Sequence, residues 1–158
     1  MIGRNVKIAF YAGLAAGLVF GIIMWMMGSL PMVGGLIGEQ TVVMGFLVHM
    51  VISLLIAIGF GLVFGGLVRS VGSGILWGMI YGAIWWFLGP LTLMPYFMGM
   101  GWGVNWTAEM TRQLFPSLLG HLVFGLVLGV VFGALRRSPR APVIIETHTV
   151  TERSVMYP

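Results

Sequence analysis

Two histidines, His49 and His121, lie inside apolar stretches where ionisable side chains are rare. Imidazole has a short list of uses in such surroundings. Neutral, it can bond a neighbouring carbonyl, or a hydroxyl such as Ser53 or Ser117, and so fix the register of a helix. Two imidazoles at one depth can supply both axial ligands of a b-type haem between helices. With thioethers they suit Cu(I), and Met94, Met98 and Met100 crowd together in "LMPYFMGMG". Methionine is equally an adaptable filler around kinked helices. A proton or solute path is the remaining chemistry, and it lacks any acidic residue inside an apolar stretch.

The chain that must position these residues is 59% hydrophobic and 8% charged, with 25 glycines, no aspartate and no cysteine in 158 residues. That balance is far from that of a soluble domain, and it excludes disulfides, thiolate metal sites and iron–sulfur clusters. Apolar runs cover 8–27, 42–68, 75–88 with a continuation through Pro90 and Pro95, and 114–135. A helix needs about 20 apolar residues to cross the hydrocarbon layer, so four spans use most of the chain and leave no room for a soluble catalytic domain. Barrel strands would be shorter and would alternate. The expected fold is therefore an all-α integral membrane bundle of four transmembrane helices over 1–137, followed by an extended tail over 138–158.

Arg4 and Lys7 before the first run imitate a signal peptide, but the run is a full span and its pattern recurs later, so it reads as helix 1. Arg4, Lys7, Arg69, Arg136, Arg137, Arg140 and Arg153 fall on one side of such a bundle and Arg112 alone on the other. By the positive-inside rule both termini are cytoplasmic. The net charge of +4 then serves topology and lipid headgroups and calls for no nucleic-acid partner. With this orientation, all the methionines except Met1, Met79 and Met156 lie in the outer half.

Sliding the sequence on itself exposes a repeat. Gly13, Gly17, Gly21, Trp25, Gly28 and Leu30 match Gly74, Gly78, Gly82, Trp86, Gly89 and Leu91 at an offset of 61, and His49, Val51, Leu54, Phe60 and Gly61 match His121, Val123, Leu126, Phe132 and Gly133 at 72. The chain reads as two tandem helical hairpins, about 8–69 and 70–137, related by an axis along the membrane normal. Residues four apart share a helix face. Columns of small residues follow: Gly13, Gly17 and Gly21; Ser53, Ala57 and Gly61 with His49; Gly74, Gly78 and Gly82; Gly125, Gly129 and Gly133 with His121. Helices in lipid associate where small side chains let backbones approach, so these columns predict packing seams with both histidines facing protein at equal depth.

Between Pro90 and Ser117 the sequence predicts an outer cap. Pro90 and Pro95 interrupt the third run, Tyr96, Trp102 and Trp106 suit the headgroup layer, and "NWTAEMTRQLF" forms a short interfacial helix capped by Asn105 with Glu109 paired to Arg112. After Arg140 the β-branched "APVIIETHTVTERSVMYP" has the composition of an edge-adding strand or a disordered tether.

The pairing of "HMVISLLIAIGFG" with "GHLVFGLVLGVVFG", each after a Gly-x-x-x-Gly helix, resembles uncharacterised small four-helix membrane proteins of prokaryotes over about residues 8–135. That resemblance implies the fold and a place in a prokaryotic cytoplasmic membrane, and it carries no catalytic residues. The expected role is a non-catalytic accessory subunit of a larger complex in an energy-transducing membrane, respiratory or photosynthetic, with lipid and other membrane subunits as partners and no cofactor. Two alternatives remain open: a cytochrome-like electron carrier with haem b on His49 and His121, and a small copper-, solute- or proton-handling protein.

Overall fold

The computed structural model describes residues 2–136; the expected tail over 138–158 lies outside them. Among the described residues the fold is helical, and four helices are long and apolar enough to cross a membrane. They are α1 (Ile2–Met26), α3 (Val42–Val63), α4 (Val71–Leu88, extended to Phe97) and α7 (Phe115–Arg136). Shorter helices α2 (Leu30–Gly34), α5 (Met94–Phe97) and α6 (Ala108–Gln113) cap the end of the bundle away from residue 2, here the distal end. Four antiparallel passes bring Ile2 and Arg136 to the same, proximal end.

Local chemistry sets where each helix begins and stops. α1 ends in a Schellman motif: Gly28 adopts φ +67, Ser29 N donates to Met24 O and Gly28 N donates to Trp25 O. Thr41 caps α3 by accepting from Met44 N, and Ser70 with Ser73 forms a reciprocal capping box at the start of α4. The short interfacial helix is present as α6, but its cap is Thr107, not Asn105, whose side chain instead donates to Pro90 O. Gln113 Nε2, not Arg112, reaches the Glu109 carboxylate, at 3.4 Å.

The third span continues through Pro90 and Pro95, as its apolar run suggested. The prolines interrupt only the α register, because Gly89–Leu93 widens into a single π turn before the helix continues into α5. Side chains take up carbonyls along this stretch. Thr92 Oγ1 donates to Phe87 O at 2.8 Å and accepts from Trp106 Nε1, while Asn105 Nδ2 reaches Pro90 O. Trp106 stacks on Phe87, and Tyr96, Trp102 and Trp106 are exposed at the distal rim where a headgroup layer would lie.

Packing follows the small-residue columns. α1 lies against α3 on one side and α7 on the other, and α4 lies against α7. A β-carbon at Gly13 would stand 2.5 Å from that of Ala57, one at Gly17 2.8 Å from Ser53 Cβ, and one at Gly61 2.7 Å from Ala9 Cβ. In the other pair the contact is backbone on backbone: Gly74 meets the Gly129 carbonyl, Gly78 that of Gly125 and Gly82 that of His121. Gly133 lies on Ser70 in the same seam. α3 and α4, although consecutive, meet through aromatic rings, with Tyr81 at 5.4 Å from both Phe60 and Phe64. The buried core is completed by Ala9, Ala12 and Ala16 of α1 and by Phe124, Leu128 and Phe132 of α7.

Candidate functional site: a histidine-flanked distal cavity

His49 sits two turns into α3 and is 6% exposed. Its Nε2–H donates across the seam to Gly17 O at 3.0 Å, with Ser53 Oγ 3.3 Å away. A carbonyl only accepts, so this bond fixes the proton on Nε2. His121 stands near the start of α7 and bonds differently. Its Nδ1–H donates to Ser117 O of its own helix at 2.8 Å, and Nε2 looks over Gly89, 3.8 Å from where a β-carbon would be.

Between the imidazoles stands Phe20 of α1. Its ring centroid is 5.3 Å from that of His49 and 4.9 Å from that of His121, edge-on to both. The ring is seated on Gly120, where any β-carbon would collide with it. The two histidines therefore share a neighbourhood and are separated by one aromatic ring.

Beside them, α3 and α4 diverge distally of the Tyr81–Ile56 contact, where the phenol donates to Ile56 O at 2.9 Å. The divergence encloses a cavity of about 470 Å³ lined by α1, α2, α3, the α4 end, α5 and the start of α7. Both histidines line it, and Met27, Met32 and Phe97 form an exposed rim at its distal edge. Of the outer methionines singled out by sequence, Met94 lines the cavity, whereas Met98 and Met100 are 39% and 56% exposed outside it. Met24, Met27 and Met32 contribute thioethers in their place.

The columns of small residues are at helix contacts throughout: Gly13, Gly17, Gly21, Ser53, Ala57 and Gly61 between α1 and α3, and Gly74, Gly78, Gly82, Gly125, Gly129 and Gly133 between α4 and α7. Sequence reasoning missed Phe20, Gly120, Trp85 and Gly89 as parts of the site. Gly120 directly precedes His121, and its spacing four before Phe124 places it on a face that the column through His121 does not include. That offset was the available signal.

Compared with protein-family models, curated proteins and solved structures, the chain matches none. The functional reading therefore rests on the geometry.

Proposed function

We propose that this protein is a non-catalytic accessory subunit of a larger membrane assembly, built from two tandem hairpins with both termini cytoplasmic. The observation that carries this reading is how three of its interior polar side chains are used. His49 donates to Gly17 O, Tyr81 to Ile56 O and Trp86 Nε1 to Leu114 O, so each fastens one helix backbone to another segment. In lipid such bonds add to the dispersion contacts that hold helices together.

The tandem reading is supported by a shared register. Offsets of 61 and 72 carry Gly13 on Ala57 to Gly74 on Gly129, Gly17 on Ser53 to Gly78 on Gly125, and Ala9 on Gly61 to Ser70 on Gly133. The orientation is supported by Arg4, Lys7, Arg69 and Arg136 at the proximal end against Arg112 at the distal one.

Extraction of the tagged chain in mild detergent tests the role. The expected result is comigration with larger membrane subunits and loss of that assembly when the chain is deleted; an energy-transducing complex is the first place to look. A monodisperse chain that is stable alone, with no assembly altered by its deletion, would overturn the reading. Electron transfer through haem b is the competing role, since both histidines line one cavity. A macrocycle ligated by both imidazoles needs the space that Phe20 fills. A Soret band in the purified protein would nevertheless replace the accessory reading with that one.

A further inference from the structure

The distal cavity holds polar groups that the packing of the bundle leaves unused. Because His121 donates through Nδ1 to Ser117 O, the neutral imidazole carries its lone pair on Nε2 and that nitrogen can only accept. Gly89 leaves it open to the cavity. The Ser117 hydroxyl, one turn earlier on α7, and the Trp85 indole N–H, one turn before Gly89, are buried and have no partner among the described residues. The three residues line the same cavity of about 470 Å³, a size typical of sites for small organic ligands, with the Ser117 hydroxyl and Trp85 N–H set behind its surface.

Apart from Ser29, His49 and Gln113, whose side chains bond Met24 O, Gly17 O and Glu109, the rest of the wall is aliphatic, aromatic and thioether, and no Lys, Arg, Asp or Glu lines it. A carboxylate, phosphate or metal cation there would be buried without a counter-charge. A copper ion would also need several donors drawn to one point, which so wide a space does not provide. A neutral head that donates one hydrogen bond satisfies the nitrogen open to the cavity.

We propose that this cavity binds a neutral amphiphile: an apolar body carrying one hydroxyl, as in a long-chain alcohol or an alkylated phenol. The ligand O–H donates to His121 Nε2, the nitrogen that Gly89 leaves open. The apolar body lies against Met24, Met27 and Met94, whose flexible thioethers adapt to its shape. A head that only accepts, such as an ether, ketone or quinone, leaves Nε2 unmatched.

Calorimetric titration of the full chain in nanodiscs, corrected with empty nanodiscs, tests this with para-octylphenol and its methyl ether. The expected result is saturable one-to-one binding of the phenol and about tenfold weaker binding of the ether, the equivalent of one buried hydrogen bond. His121→Phe should bring the two affinities together, and Gly89→Leu, which places a side chain over Nε2, should abolish binding of both. Equal affinities in the unmodified protein, no saturable phenol binding, or octanoate binding as tightly as the phenol would overturn the proposal. Should His121→Phe fail to fold, the phenol–ether ratio in the unmodified protein still decides it.

Discussion

The α1–α3 pair and the α4–α7 pair share one register of small residues but close to different depths. Between α4 and α7, glycine faces glycine, and the backbones touch at Gly74, Gly78 and Gly82. Between α1 and α3, the opposing positions are Ala57 and Ser53, whose β-carbons hold the backbones apart. The histidines follow from this. In the looser seam the His49 imidazole fits between helices and bonds Gly17 O. In the tighter one Gly82 lies on the His121 carbonyl, the ring is turned out of the seam, and it bonds its own helix while Nε2 faces the cavity. One side chain thus becomes a fastener in one setting and an open acceptor in the other, according to a methyl's worth of space.

The strongest way to break the comparison is Gly78→Ala. Its β-carbon would collide with the Gly125 carbonyl, which cannot move without separating the helices, so a loss of about 3 kcal/mol is expected in reversible unfolding in mixed micelles. The matching change in the looser seam, Gly17→Ala, meets Ser53 Cβ and the Met50 thioether and should cost about 1–2 kcal/mol in the same assay. If the two losses were equal, the difference in closure would not govern stability.

Smaller effects sharpen it. His49→Leu removes an interhelical bond and leaves Gly17 O without this donor, an expected cost of about 1 kcal/mol. His121→Leu removes only a bond within one helix, to a carbonyl already placed to accept from the backbone, and should cost less than His49→Leu by the same measurement. Tyr81→Phe, which unfastens α4 from Ile56 O, should fall near 0.6 kcal/mol, the average for such bonds in membrane bundles. A His121 variant weaker than its His49 counterpart would reverse the roles assigned to the two rings.

Much of this architecture was legible because lipid imposes simple demands. The four spans follow from run length, and the glycine columns from the need for close backbones. The sequence also pointed to a carbonyl or hydroxyl as the partner of His49, and the structure supplies Gly17 and Ser53. The continuation of the third span through Pro90 and Pro95 was legible as an apolar run, but the π turn that carries it and the partners of its carbonyls were not. Here Asn105, fifteen residues on, reaches Pro90 O, and no local pattern announces a contact of that range. Phe20 was invisible for another reason. In a membrane helix an aromatic residue facing protein and one facing lipid occupy equally apolar sequence, so periodicity cannot separate them. Met98 and Met100 were grouped with Met94 by proximity in sequence, yet the turn after Phe97 carries them to the surface.

The placement of Phe20 bears on how a protein of this kind could change its trade. A single ring, seated on Gly120, stands between two imidazoles that line one cavity. Shrinking that ring to a methyl would widen the cavity between them while leaving both glycine ladders intact. The fold thus stands one substitution from a space between two imidazoles wide enough to matter to any flat ring offered to it.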